Sequence, residues 1–253
     1  MFNYFINNIL KDKEYVKYMK RNLNIKLKNS SIIALVLYII LLKLTKAENI
    51  FYEPPNLGIL KNNIKYYIES GQYEQDIQKV VDKAKNYIYN RTKDLPNQEK
   101  QKLAVVFDID ETALSNLEYE YKYDFGYNYE TWIEWVKEAK AKPIKPTLEL
   151  YKYIKSLNIK TFFITGRTQL NENLNEDPTI INLKKAGYFL WEKVYFKPSN
   201  LKISTIEYKT NCRKDIESKG YKIILNIGDQ YSDLEGGHSE AVFKLPNPMY
   251  YIP

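Results

Sequence analysis

Residues 103–114 read LAVVFDIDETAL, and this stretch decides the fold. Its first five residues, Leu103 to Phe107, form a short apolar run of the kind found in central parallel strands. Asp108 and Asp110 follow directly, so both acids are expected at the carboxyl end of the strand, where open α/β sheets bind ligands. Because two carboxylates this close repel each other, the stretch predicts a divalent cation with oxygen ligands, such as Mg²⁺.

Apolar runs and periodic stretches alternate along the rest of the chain. Further strands are predicted at residues 160–164, 194–196, 223–227 and 242–243. Amphipathic helices are predicted over 56–93 with a break at Gly71, over 147–157 with Thr147 as the cap, over 179–187 and over 207–220. This alternation indicates an α/β fold with a central parallel sheet and right-handed crossovers.

The N-terminal segment 1–47 has the pattern of a secretory leader. Its uninterrupted apolar run, Ile32–Leu42, has 11 residues, which suits a signal peptide and is short for a membrane span. Thr45 and Ala47 form a small-x-small cleavage site before Glu48. The segment predicts export to the periplasm, the cell surface or the medium. The alternative is an uncleaved leader, which would be the chain's only contact with a membrane.

The charge distribution argues against binding to a nucleic acid polymer. The chain carries a net charge of +7, and residues 1–47 hold nine basic and two acidic residues, so the leader accounts for all of it. The remainder is balanced and gives no global electrostatic reason to bind DNA or RNA. A single cysteine, Cys212, excludes an internal disulfide and a cysteine-rich zinc site. The one histidine, His238, follows two glycines and is interpreted as a loop residue.

Five motifs together resemble the acid phosphatase branch of the haloacid dehalogenase (HAD) superfamily, subfamily IIIB. In chain order they read DIDETALSN, FITGR, YKTNCR, GDQYSDLEGG and FKLPNPMYY. That branch includes class B and class C acid phosphatases and plant vegetative storage proteins, and the resemblance covers about residues 56–253. It implies a Rossmann-like three-layer sandwich within a domain at 48–253. It also implies a small helical cap inserted after the first motif strand, at about 115–142.

The resemblance implies roles for the first two motifs. Asp108 corresponds to the nucleophile that forms a transient aspartyl-phosphate. Asp110 corresponds to the general acid for the leaving alkoxide and then the base for water. Thr165 corresponds to the catalytic hydroxyl that binds a phosphate oxygen, and Gly166 lets a backbone N–H approach the same group.

The third motif supplies cationic side chains. Lys209 is assigned the role of neutralising charge shared by the nucleophile and the phosphoryl group, with Lys202 and Lys214 as competing candidates. Arg213 is four residues on, on the same predicted helical face, and is assigned to substrate binding. Arg167, just after the second motif, has two open interpretations, a phosphate contact or a structural ion pair.

The resemblance also implies a site for one Mg²⁺ ion. Its ligands would be the Asp108 carboxylate, the Asp110 backbone carbonyl and Asp229, with Asp233 acting through water or orienting Asp229. Gly228 is interpreted as allowing the tight turn before these acids.

Aromatic side chains crowd the predicted cap and suggest a lid or a pocket wall. They are Tyr119, Tyr121, Tyr123, Phe125, Tyr127, Tyr129, Trp132 and Trp135. Most are expected to pack the cap onto the core, and the sequence singles out none as a substrate contact.

The favoured function is that of an exported, Mg²⁺-dependent acid phosphatase that hydrolyses small phosphate monoesters through an aspartyl-phosphate. One alternative is a storage or binding protein of the same fold with little turnover. The other is a phosphotransferase, which shares every residue named above. The intact DxDxT motif favours catalysis.

Overall fold

Strands and helices alternate along residues 53–253, the part of the chain that the computed structural model describes. The strands are β1 (Leu103–Phe107), β2 (Leu114–Ser115), β3 (Lys142–Pro143), β4 (Lys160–Ile164), β5 (Lys193–Tyr195), β6 (Lys222–Gly228) and β7 (Ala241–Lys244). The first helices are α1 (Leu57–Glu69), α2 (Gln72–Thr92), α3 (Asn97–Lys100), α4 (Leu117–Lys122) and α5 (Tyr129–Glu138). The others are α6 (Lys145–Ser156), α7 (Pro178–Lys185), α8 (Thr205–Ser218) and α9 (Tyr231–Leu234).

The central sheet has five parallel strands in the order β5-β4-β1-β6-β7. Strand β1 lies in the middle and all five of its residues are buried, which explains its uninterrupted apolar sequence. Phe107 is in register with Phe163 of β4 and Ile227 of β6. The residues that follow these three strands therefore emerge at one edge of the sheet.

Helices cover both faces of the sheet. Val105 and Phe107 point to the larger core, which includes buried residues of α2 and α6, such as Ile88 and Tyr151. Alternate residues of β1 face a second core against α8 that includes Ile216. The α/β prediction, a parallel sheet between two helical layers, is confirmed.

A small insert follows β1, as predicted. Strands β2 and β3 pair antiparallel, with Leu114 opposite Pro143 and Ser115 opposite Lys142. This pair closes the segment that carries α4 and α5, so the insert leaves and rejoins the core at one place. The assignment of this segment, at about 115–142, as the cap stays a prediction.

The start of α6 differs from the prediction. The helix begins at Lys145, and Pro146 lies in its first turn, where a proline fits because its missing N–H has no helical partner. Thr147 is therefore inside the helix and is not its cap. Its buried hydroxyl has no hydrogen-bond partner among residues 53–253.

The leader predicted at residues 1–47, and its cleavage site, lie outside the described residues. Within 53–253, none of the helices is long and apolar enough to cross a membrane.

Candidate active site

A cleft of about 460 Å³ opens at the carboxyl edge of the central sheet. The sheet side contributes Asp108, Asp110, Gly166, Arg167, Lys197, Thr205, Lys209, Asp229, Gln230 and Asp233. The insert contributes Glu120, Phe125, Gly126, Tyr127 and Trp132, and the C-terminal segment contributes Tyr250, Tyr251 and Ile252. Three separate parts of the chain therefore form the walls of one cleft.

Asp108 is buried at the end of β1, where its backbone N–H donates to the Ile227 carbonyl of β6 at 3.0 Å. Lys209 of α8 donates to Asp108 Oδ1 at 2.5 Å. Burial raises the pKa of Asp108 well above its usual range; the Lys209 ammonium opposes this shift, and neighbouring carboxylates add to it. The ion pair puts a positive charge directly beside the Asp108 carboxylate.

Lys209 is the lysine of the third motif that reaches this cleft. Its side chain is buried, and its ammonium also donates to Asp233 Oδ1 at 2.5 Å. The two carboxylates raise the pKa of Lys209 although burial opposes its charge. Lys202 and Lys214, the competing candidates, are exposed.

Three carboxylates form an acidic cluster. One oxygen from each of Asp108, Asp229 and Asp233 lies within 4.8 Å of the other two. Burial, and next the charge of Asp233, raises the pKa of Asp229 to about 7. A set of closely spaced oxygen donors fits a hard divalent cation, whose charge would relieve their mutual repulsion. The Asp110 carboxylate does not belong to this cluster.

Asp233 approaches the end of β6 very closely. A Cβ atom at Gly228 would lie 2.5 Å from the Asp233 Cβ atom, so only glycine leaves room for this acid. The Gln230 N–H donates to Asp233 Oδ2 at 2.8 Å and fixes the carboxylate further. Gly228 therefore serves close approach, where the sequence suggested a tight turn.

Arg213 does not line the cleft, which corrects its assignment to substrate binding. Its guanidinium donates to the backbone carbonyls of Gly237 and Asp233, each at 2.8 Å, and also to that of Glu235. The side chain is fully buried. With these carbonyls as acceptors, the guanidinium holds the 233–237 loop in place.

Asp110 occupies a different environment from Asp108. Arg167 donates to it through Nε at 3.1 Å and Nη2 at 2.6 Å, and Asn116 Nδ2 donates at 2.8 Å. Asp110 is partly exposed to the cleft, whereas Arg167 is buried. Arg167 thus forms the ion pair that the sequence left as one of two interpretations.

Asn116 connects Asp110 to the insert. Its amide oxygen accepts a hydrogen bond from Trp135 Nε1 of α5 at 2.8 Å, while its amide nitrogen also donates to Glu111 at 2.9 Å. Glu111 is fully buried and accepts a further bond from the Tyr250 hydroxyl at 2.8 Å. Burial, and next the charge of Asp110, raises the pKa of Glu111 to about 8.

The second motif places its two residues differently. Gly166 lines the cleft, and a Cβ atom there would meet no protein atom within 4 Å, so a ligand can approach its backbone. Thr165 is fully buried beside it, and its hydroxyl accepts a hydrogen bond from the Arg167 N–H at 3.1 Å. Thr165 is next to the cleft without being one of its lining residues.

Some of the insert's aromatic rings line the cleft, and others pack within the insert. Phe125, Tyr127 and Trp132 line the cleft. Tyr119 and Trp135 are buried and pack within the insert, with the Tyr119 and Trp132 rings 5.3 Å apart. The sequence predicted both kinds of ring without saying which was which, and the structure identifies them.

Several residues in or beside the cleft were not predicted from the sequence. Glu120, Gln230 and Tyr250 line the cleft, and Asn116 and Asn247 lie beside it, where the Asn247 amide donates to Asp229 at 2.7 Å. A neutral amide or a tyrosine has no chemistry that distinguishes it in a single sequence, and Glu120 is one of many acids in the chain. His238, as expected, lies outside the cleft and pairs with Glu217 at 2.6 Å.

Comparisons with known proteins agree with the motif resemblance. Residues 52–253 match the family model described as HAD superfamily, subfamily IIIB (acid phosphatase). The stem 28 kDa glycoprotein of Glycine max is 41% identical over 197 residues, covering 74% of this chain and 73% of that protein. Acid phosphatase 1 of Solanum lycopersicum is 34% identical over 194 residues, covering 75% and 73%.

A solved structure has a similar fold. The class C acid phosphatase from Bacillus anthracis with tungstate bound superposes with a TM-score of 0.60 at 22% identity. The match covers 76% of this chain and 86% of that one. At this identity the likeness concerns the fold alone.

Proposed function

The chain belongs to the acid phosphatases of HAD subfamily IIIB, enzymes that hydrolyse phosphate monoesters, and we propose that it works through a phosphoaspartate at Asp108. The observation that carries this proposal is the pairing of a buried, strand-end carboxylate with a buried ammonium, Asp108 with Lys209 at 2.5 Å. Small phosphate esters are the substrates that the family implies, and a cleft of about 460 Å³ has room for one.

The first half of the cycle transfers the phosphoryl group to the protein. Asp108 attacks phosphorus in line, while Lys209 offsets negative charge that develops between the carboxylate and the phosphate. The Gly166 backbone, which faces open space in the cleft, binds the non-bridging oxygens. The buried Thr165 hydroxyl accepts from the Arg167 N–H, and the family pattern implies that it donates to a phosphate oxygen. Phosphorus gains the bond to Asp108 as it loses the bond to the ester oxygen.

Asp110 transfers the protons in both halves of the cycle. It gives a proton to the departing alkoxide and later takes one from the water that attacks the phosphoaspartate, so phosphate is released and Asp108 is restored. Arg167 and Asn116 hold the Asp110 carboxylate from two sides, which fixes its direction into the cleft. We assign both residues a positioning role.

The acidic cluster is the proposed site of one Mg²⁺ ion. Asp108, Asp229 and Asp233 would hold it, together with the Asp110 backbone carbonyl that the family pattern implies. A bound cation of this kind neutralises charge on a phosphoryl group during attack.

Two related functions remain alternatives to hydrolysis. Vegetative storage protein 1 of Arabidopsis thaliana is 34% identical over 207 residues, covering 78% of this chain and 74% of that protein, so a storage role with little turnover is the first. A complete set of Asp108, Asp110 and Lys209 in one cleft favours turnover. A phosphotransferase is the second, and phosphate transfer to an added alcohol would identify it. We further propose that residues 1–47 direct export.

Turnover of p-nitrophenyl phosphate by the full chain tests this proposal. We expect hydrolysis with Mg²⁺, loss of hydrolysis with excess EDTA, and loss in Asp108→Asn, because an amide is a poor nucleophile. A folded, Mg²⁺-loaded protein with no turnover from acid to neutral pH would support the storage role instead.

A further inference from the structure

Glu120 is a buried carboxylate in the cleft without a protein partner. Glu120 lies in α4 of the insert and is 6% exposed. It lines the cleft together with Asp110. No side chain or backbone N–H among residues 53–253 hydrogen-bonds to its carboxylate, and the charge of Asp110 acts on it. Burial, and next the charge of Asp110, raises the pKa of the Glu120 carboxyl to about 7, so a cation bound in the cleft would stabilise its charged form.

The other buried carboxylates of the cleft all have donors. Asp108 and Asp233 share the Lys209 ammonium, and Asp229 accepts from Asn247. Glu120 is the exception among the buried carboxylates that line the cleft. This contrast indicates that its partner is a ligand.

The neighbouring rings suit a cationic ligand. Phe125, Tyr127 and Trp132 of the same insert line the cleft, and the Phe125 N–H donates to the Glu120 carbonyl at 2.8 Å, which keeps the ring's backbone close. Faces of aromatic rings attract cations, and a nearby carboxylate strengthens the attraction. Two of these rings already attract protein cations, since the Arg167 guanidinium lies 5.4 Å from the Trp132 ring centre and the Lys65 ammonium lies 5.8 Å from the Phe125 ring centre.

The position of Glu120 relates it to the leaving group. In the proposed function, Asp110 protonates the ester oxygen, so the alcohol part of the substrate lies on the Asp110 side of the cleft. Glu120 lies near enough to Asp110 for the two charges to interact. A phosphate dianion would be repelled by Glu120, whereas an ammonium on the alcohol part would be attracted.

We propose that Glu120 determines specificity for phosphate monoesters of amino alcohols. The substrate's ammonium group pairs with the Glu120 carboxylate beside the aromatic rings, while its phosphoryl group lies at Asp108 and Lys209. The cleft is thus complementary to a zwitterion, with its cationic part at the insert and its anionic part at the sheet. This inference rests on the proposed phosphatase function and extends it to a substrate class.

The test compares two isosteric substrates on the full chain with Mg²⁺. They are 2-aminoethyl phosphate and propyl phosphate, in which a methyl group replaces the ammonium. We expect kcat/KM to favour the ammonium ester by about tenfold or more in the wild type, and Glu120→Gln to lower that ratio by about tenfold. Glu118→Gln is the matched control, because Glu118 is an exposed acid on the same helix, and it should keep the wild-type ratio.

Equal kcat/KM values for the two esters in the wild type would overturn the inference, and that comparison needs no variant to fold. A ratio unchanged by Glu120→Gln would also overturn it. Turnover of p-nitrophenyl phosphate separates the two proposals. If the wild type hydrolyses it without preferring the ammonium ester, the specificity fails and the phosphatase stands; if no ester is hydrolysed, the phosphatase itself fails.

Discussion

Two aspartates that are two residues apart have different surroundings, and we propose different roles for them. Asp108 is buried against the Lys209 ammonium, within the acidic cluster. Asp110 points to the cleft and is held by Arg167 and Asn116. The first environment suits a carboxylate that attacks phosphorus beside a cation, and the second suits a group that exchanges protons with substrate and water.

Replacement of Asp110 by asparagine tests its role as the acid. We expect kcat to fall by roughly 10²–10⁴-fold for alkyl phosphates, because a poor leaving group needs a proton to depart. The loss should be smaller for p-nitrophenyl phosphate, whose leaving group is stable as an anion. A steady-state series of esters with graded leaving groups measures this difference, and equal losses across the series would contradict the assignment.

A single sequence predicts which motif residues meet, but it does not predict the partner of every side chain. Asp108, Asp229 and Lys209 meet in the structure because strand ends and a helix start converge at one sheet edge, which the pattern predicts. Arg213 is one helical turn from Lys209, yet it turns to backbone carbonyls of the 233–237 loop. Lys209 and Arg213 are both long cationic side chains on one helical face. Their contacts differ because the 233–237 loop passes beside Arg213.

At the scale of elements, short apolar runs predict the strands well because a buried parallel strand needs apolar side chains on both of its faces. Strand β1 has the predicted bounds, and β4 and β6 lie beside it. The predicted start of α6 was wrong. Pro146 fits the first turn of the helix, so the helix begins before Thr147 and Thr147 is not its cap. The close approach of Asp233 to Gly228 was not predicted, because it depends on the tertiary fold.

An ion pair joins α2 to the edge of the sheet, and it makes a pH-dependent contribution to stability. Glu240, just before β7, accepts from Arg91 Nε at 2.8 Å and pairs with Lys222 at 2.6 Å. The hydrogen bond from Arg91, and next that from Lys222, lowers the pKa of Glu240 to about 2, although burial opposes the shift. Because the folded-state pKa is depressed, the stabilisation is complete above the unfolded pKa and disappears as the pH falls through about 2.

Glu240→Gln should therefore lower the free energy of unfolding at pH 7 by up to about 1 kcal/mol, the upper end for a solvent-accessible pair. The difference from wild type should shrink from about pH 4.5 downward and vanish near pH 2. Thermal unfolding at a series of pH values measures it. Glu134→Gln is the control, since Glu134 is exposed and has no ion pair within residues 53–253. A difference that stays constant over this pH range would contradict the account.

At the scale of the whole molecule, the cleft exists because distant segments meet. The sheet edge supplies the acids, the insert supplies Glu120 and three rings, and the C-terminal segment supplies Tyr250. The sequence predicts the insert and the tail as elements, but no periodicity or spacing states which of their residues face the cleft. The residues that the sequence missed therefore concentrate in these two segments.

The acidic cluster also links folding to metal binding. A cation that binds the folded chain, whose carboxylates lie within 4.8 Å of one another, stabilises it by mass action. At Mg²⁺ concentrations ~100-fold above Kd, the gain is ~2.7 kcal/mol, or a rise in Tm of roughly 5–10 °C for a chain of this size. Calorimetry with Mg²⁺ and with EDTA measures the rise. It should be lost in Asp229→Asn, and an equal rise in that variant would place the cation elsewhere.

The most direct test of the account is to trap the phosphoryl group on Asp108. Full-length protein would be mixed with a phosphate monoester and Mg²⁺, quenched with acid during turnover, and analysed by peptide mass spectrometry. We predict one phosphoryl group on the peptide that contains Asp108 and none in Asp108→Asn, which should also be inactive. Continued turnover by Asp108→Asn, with no phosphoryl group on this peptide in the wild type, would contradict the central claim.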